Sequence, residues 1–238
     1  MRRRAGGFSL IEVMVALTLG LVVVLGITQI FITAKSTYLS QSASARLQED
    51  ARFALSKMIQ EIRMVGMFGC LTTDAITYTE PAIAGEFANP IRFVRSADGG
   101  TQTLTLISAD VGAAGGTPTW TIVTDCVTSA RAYRGARVAG SGEIALPVRK
   151  LVYTVENNQL MLGAGSAKAV LVDNVDALEI SFGVASLASD SAVSHYSSAP
   201  NNPATIRSVR LSLTLKDPEA RVRNQTYNVV ASLRNRLQ

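Results

Sequence analysis

The stretch that decides the architecture is Arg2-Arg3-Arg4-Ala5-Gly6-Gly7-Phe8-Ser9-Leu10-Ile11-Glu12-Val13 and the apolar run it opens. From Val13 to Ala34 there is no formal charge over 22 residues. As a helix at ~1.5 Å per residue this run is about 33 Å long, close to the ~30 Å hydrocarbon core of a bilayer. One membrane-spanning helix is therefore predicted over residues 8–34. Three arginines precede it and only Lys35 follows it closely. The positive-inside bias then puts the N-terminus in the cytoplasm and the following 204 residues on the opposite side.

A secretory signal would have a shorter apolar stretch followed by a small-residue cleavage site. Here the small pair, Gly6-Gly7, lies before the apolar stretch, so a cut there discards a basic leader and keeps the helix. Gly7-Phe8-Ser9-Leu10-Ile11-Glu12-Val13 followed by an uncharged helix resembles the class III signal of type IV prepilins and type II secretion pseudopilins. The resemblance implies cleavage between Gly7 and Phe8 by a prepilin peptidase and N-methylation of the new Phe8 amine. It divides the chain into a leader (1–7), a transmembrane or filament-core helix (8–34) and a periplasmic pilin-like domain (35–238).

Glu12 is the one carboxylate between the leader and Lys35. An ionised group costs about 2.5–3.5 kcal/mol at the centre of an apolar span and less near its end. The resemblance implies that Glu12 pairs with the N-terminal amine of a neighbouring subunit during assembly. The alternative is a carboxylate resting at headgroup level.

Beyond the membrane the helix is predicted to continue to about residue 66. Leu47, Ala51, Ala54, Leu55, Met58, Ile59, Ile62 and Val65 recur at three- and four-residue spacing, which makes one face fit for burial. No proline occurs before Pro81, and Gly66 and Gly69 are the expected stops. Gly20 and Gly26 weaken the apolar half by up to ~1 kcal/mol each. They mark either a place where the helix loosens on filament packing or a close helix approach, or else are glycines that membrane helices tolerate. Many major pilins carry a proline in the span; this chain does not.

After Cys70 the period shortens to that of strands. These are predicted at 91–95, 103–108, 119–124, 151–155, 159–162, 169–172, 178–184, 206–215 and 227–233. Strict alternation over Ser208–Leu215 is the strongest signal. Asn157-Asn158 fits a tight hairpin, and Asp217-Pro218 opens the connection to the last strand. The Ser- and Ala-rich stretch 185–205 reads as a long surface loop. The predicted fold is α+β, a long N-terminal helix packed on a β-rich antiparallel sheet domain.

Cys70 and Cys126 fall in the extracytoplasmic part, where a disulfide can form and persist. Their bridge would close a loop of about 57 residues and contribute roughly 4 kcal/mol in the chain-entropy model; the alternative is two buried thiols. With one histidine, no Cys-x-x-Cys and no His pair, neither a metal nor a cofactor is expected. A Ser/His/Asp arrangement can be drawn from Asp190, Ser194, His195 and Ser197, but no nucleophile-positioning motif accompanies it, so no catalytic residue is assigned. Arg131, Arg134 and Arg137 around Tyr133 form the densest basic patch. Its default reading is a solvated loop, and nucleic acid is not an expected partner. The net charge of +5 is weak support for one, because the three leader arginines supply most of it.

Val172-Asp173-Asn174-Val175-Asp176-Ala177-Leu178-Glu179-Ile180-Ser181-Phe182, Ile206-Arg207-Ser208-Val209-Arg210-Leu211-Ser212-Leu213 and the terminal Leu233-Arg234-Asn235-Arg236 resemble PilW-type minor pilins and J-type pseudopilins. That resemblance implies a non-enzymatic minor pilin priming or supporting type IV pilus assembly. Its partners would be other minor pilins, the major pilin, the inner-membrane assembly platform and prepilin peptidase. A J-type pseudopilin of type II secretion is the alternative within the superfamily, and a membrane-anchored periplasmic hydrolase the alternative outside it.

Overall fold

In the computed structural model, residues 7–97, 100–110, 117–165 and 167–234 are described. The leader arginines, Gly6, and Asn235 and Arg236 of the terminal segment lie outside them.

Helix α1 runs unbroken over Leu10–Met64, 55 residues, or about 82 Å at ~1.5 Å per residue. Its polar residues in the apolar half return their hydroxyls to the helix's own carbonyls: Thr18 to Val15, Thr28 to Val24 and Thr33 to Gln29. That satisfies the donors without breaking the apolar surface. The helix ends where Val65 turns extended and Gly66 adopts φ 76°, a left-handed conformation suited to glycine. The Gly66 amide then donates to the Ile107 carbonyl, fixing the chain's exit.

The remaining elements are β1 (Ile76–Tyr78), α2 (Pro81–Ala88), β2 (Ile91–Arg95), β3 (Gln102–Ala109), β4 (Trp120–Thr124), β5 (Ala130–Arg134), β6 (Ile144–Glu156), β7 (Gln159–Leu162), β8 (Ala169–Val172), β9 (Val175–Val184), β10 (His195–Ser197), β11 (Ile206–Leu215) and β12 (Gln225–Ser232). An eight-stranded sheet has the order β1-β5-β4-β6-β3-β2, with β7 bridging β6 and β8; a four-stranded sheet has the order β10-β9-β11-β12. All pairings are antiparallel except β1 with β5.

Because strand side chains alternate between faces, the eight-stranded sheet serves two cores. Leu104, Leu106 and Tyr153 join the α1 core, together with Ile180, Phe182, Val209 and Leu211 from the four-stranded sheet. Ile107, Trp120, Ile122 and Val148 face the other way, against Ile83 and Phe87 of α2. There Phe87 stacks 4.3 Å from Phe68 and meets Trp120 edge-on at 5.6 Å.

Burial on α1 begins only at Ala43 and follows Leu47, Ala51, Ala54, Leu55, Met58 and Ile62. The alanines let the helix close onto the strands, and polar contacts fix its register. The Tyr153 hydroxyl donates to Glu61, which also pairs with Lys57 at 2.8 Å. Burial, and then the Glu61 bond, push the Tyr153 phenol well above the ordinary tyrosine range. Gln225 of β12 donates to the Ser44 hydroxyl at 2.7 Å.

Cys70 and Cys126 are bridged, with Cα atoms 5.4 Å apart, tying the segment after α1 to the β4–β5 turn. Two aspartates clamp turns. Asp125 accepts from the Thr128 hydroxyl and from the amides of Ser129, Val127 and Thr128, which hold its carboxyl far below the usual range. Asp217 accepts two bonds from the Arg221 guanidinium, at 2.8 and 3.0 Å, with the same consequence.

Sequence and structure differ in several places. The Arg131–Arg134 stretch is not a loop but lies in β5, where alternate residues are buried. Strand β6 begins at Ile144 rather than Leu151; Pro147 lies within it and masks the strand signal. The loop 185–205 contains β10 and a short 3-10 turn at Pro203–Thr205. Helix α2 was not foreseen, since eight residues show too little periodicity. The Asn157-Asn158 hairpin is present, with φ of 52° and 60°.

Two expectations follow from this packing. Met58→Ala, at a fully buried position, lowers stability by about 2–5 kcal/mol in denaturant titration of the detergent-solubilised chain, whereas Phe53→Ala on the exposed face stays within about 0.5 kcal/mol. For Asp217 the folded carboxyl titrates below its unfolded value of ~3.9. Its stabilising contribution is thus fully present above that value and is lost as pH falls through the folded one. Asp217→Asn should be less stable than the parent at neutral pH, with the gap closing as the solution is acidified.

Candidate assembly site

The N-terminal segment Gly7-Phe8-Ser9 is non-helical, and the Ser9 carbonyl starts α1 by accepting from the amides of Glu12 and Val13 at 3.1 and 3.2 Å. Phe8 is 85% exposed. Glu12 is the acidic residue of the first turn, where the helix's exposed N–H groups favour negative charge. It lies in a shallow groove with Phe8, Val13, Ala16 and Leu17. Among the described residues, no cation lies within ion-pair distance of it.

Every large apolar side chain from Phe8 to Ile32 is exposed on the isolated chain. A continuous apolar surface of this extent needs either lipid or other helices around it. By length and composition α1 can cross a membrane. A Cβ placed on Gly20 or Gly26 would meet nothing within 4 Å, so packing inside this chain does not require either glycine.

The site is thus a helix surface held out from the body, positioned by the buried stripe farther along the same helix. Its chemistry is limited to apolar burial and one carboxylate.

Other sequence candidates are placed differently. Ser194 Oγ is 3.0 Å from His195 Nδ1, but it donates to the Val184 carbonyl at 2.8 Å. The Asp190 carboxylate accepts from the Leu187 amide, and Ser197 accepts from the Ala199 amide. Ser194 and His195 thus lie together, but among the described residues no carboxylate is hydrogen-bonded to the imidazole. In the basic patch, Arg134 pairs with Glu80 at 3.0 Å and Arg137 covers the Tyr133 ring at 5.2 Å, so the aromatic face offered for stacking is already occupied. Among the described residues no cluster of three His, Cys, Asp or Glu side chains could hold a metal.

Sequence reasoning missed Arg207, which is 2% exposed. Its guanidinium donates to the carbonyls of Asp190, Ala204 and Ala188 at 2.6–2.7 Å and so organises the 185–205 segment. Its neighbours in β11 are apolar or small, and the one sequence signal was an arginine at a position due to be buried.

With the fold and helix in place, comparison adds one match. Residues 2–28 match the family described as the prokaryotic N-terminal methylation motif. No curated protein matches the chain. The matched segment is the prepilin N-methylation signal; with a long helix on a β-rich body it fits a type IV pilin or pseudopilin anchored in the inner membrane. It implies processing by prepilin peptidase and assembly with other pilins.

Proposed function

We propose that this chain is a minor pilin of the PilW type that primes or supports type IV pilus assembly by packing its N-terminal helix against other pilins. In this reading prepilin peptidase cuts between Gly7 and Phe8, the Phe8 amine is N-methylated, and residues 35–238 stand in the periplasm. The helix then leaves the bilayer for a filament tip or base complex with other minor pilins and the major pilin, drawn by the inner-membrane platform.

The observation that carries the proposal is Glu12. It is a carboxylate in an otherwise uncharged helix surface, without a cation from its own described residues. A neighbouring subunit's N-terminal amine would neutralise it as both enter the filament core, where an unpaired charge is costly. The disulfide and the clamped turns support the same reading, since they hold together a body that can be carried as cargo on the helix.

A J-type pseudopilin would use the same helix and carboxylate. Deletion of the gene separates the two, by loss of surface pili and twitching in one case and loss of exoprotein secretion in the other. Glu12→Ala should still insert into the membrane but fall at least about tenfold in the sheared filament fraction, given a cost of ~3–5 kcal/mol for stranding the partner charge. Recovery of the variant at parental level would remove Glu12 from assembly.

A further inference from the structure

We propose that the groove between α1 and the β11–β12 connection is the seat of an anionic phospholipid headgroup, with Lys35 as its cation. The proposal rests on the reading of residues 8–34 as a membrane span and adds a specific ligand to it.

Position comes first. Glu12 and Lys35 bracket the uncharged run on one unbroken helix, 23 residues apart, which is about 35 Å at ~1.5 Å per residue. A hydrocarbon core of ~30 Å leaves each charge a few ångströms into its own headgroup layer. Ile32, about 30 Å from Glu12 at the same rise, then stands at the hydrocarbon boundary. The groove begins there. It is lined by Ile32, Lys35, Ser36, Leu39, Ser40 and Arg221, with a volume of about 390 Å³. Arg221 belongs to the β11–β12 connection, so the body itself forms one wall at headgroup depth.

Chemistry fits the same occupant. Ile32 and Leu39 offer an apolar wall to the glycerol end of an acyl chain. Lys35 is exposed and, among the described residues, has no carboxylate within ion-pair distance. Its ammonium is therefore available to a phosphate oxygen. Arg221 is held by Asp217 at 2.8 Å and Glu219 at 3.2 Å, which makes it a fixed wall and leaves Lys35 as the binding charge.

Lys35 and the connection together carry Lys35, Lys216, Arg221 and Arg223 against Asp217 and Glu219, an excess of positive charge that favours anionic over zwitterionic lipid. Farther along the helix both signs are present, with Arg46 and Arg52 beside Glu49 and Asp50. Glu49, Asp50 and Asp173 stand close enough that, after burial, the two neighbours raise the Asp50 carboxyl. A lipid held in the groove ties the body to the membrane surface and must be released when the helix is withdrawn.

The test uses the full chain reconstituted in vesicles of equal parts phosphatidylcholine and phosphatidylglycerol, released into mild detergent and weighed by native mass spectrometry. The parent chain should retain phosphatidylglycerol in preference to phosphatidylcholine. Lys35→Gln should lower that preference about fivefold, the share one ammonium confers at headgroup depth, and Arg131→Gln, on the far sheet, should leave it intact. An inserted parent chain without preference, or a Lys35→Gln chain that keeps it undiminished, overturns the proposal while sparing the membrane-span reading. A chain that washes off the vesicles at alkaline pH overturns both.

Discussion

Everything in this molecule depends on the continuity of α1. An α-helix without proline or an internal break keeps its hydrogen-bond ladder from end to end, so its two halves cannot reorient independently without breaking backbone bonds. Over Leu10–Met64 that rod passes through two different surroundings. From Ala43 onward one stripe is buried against both sheets. Up to Tyr38 the side chains are exposed all round. The depth at which burial starts fixes how far the apolar half projects, and the Gly66–Ile107 bond fixes where the chain turns back into the body.

The body's internal bonding serves this arrangement. Small residues at Ala51 and Ala54 bring the helix close to the strands, while Tyr153–Glu61 and Gln225–Ser44 prevent it from sliding or rotating. On the opposite face the Phe68–Phe87–Trp120 cluster seals α2 to the eight-stranded sheet, and the Cys70–Cys126 bridge joins that region to the helix exit. Force applied at the Glu12 end is therefore transmitted to a connected body. This is the property a subunit needs if it works by packing instead of by chemistry.

Much of this was legible in the sequence because it rests on local periodicity. The apolar run, the stripe from Leu47 to Ile62, the alternating Ser208–Leu215 strand and the Asn157-Asn158 turn each declare themselves within a few residues. What was not legible depends on partners distant in the chain. Strand β5 was hidden because Arg131 and Arg134 occupy exposed positions of a strand whose alanines do the packing. Strand β6 was shortened by Pro147, tolerated where it pairs with Thr121. Arg207 could not be foreseen, since the carbonyls of Ala188, Asp190 and Ala204 that it binds come from a segment folded over it. Of the candidate site, Gly7, Phe8 and Glu12 were readable as a motif; in the separate groove farther along the helix, the contribution of Arg221 to the wall beside Lys35 was not.

The central claim is that this chain acts as a processed helix that leaves the membrane for a filament. Intact-mass analysis of the protein recovered from the sheared filament fraction tests it most directly. The account predicts a chain that begins at Phe8, carries one added methyl group on its amine and retains the Cys70–Cys126 bridge. A chain in that fraction that still carries residues 1–7, or a processed chain found solely in the membrane fraction of cells that assemble filaments, would contradict it.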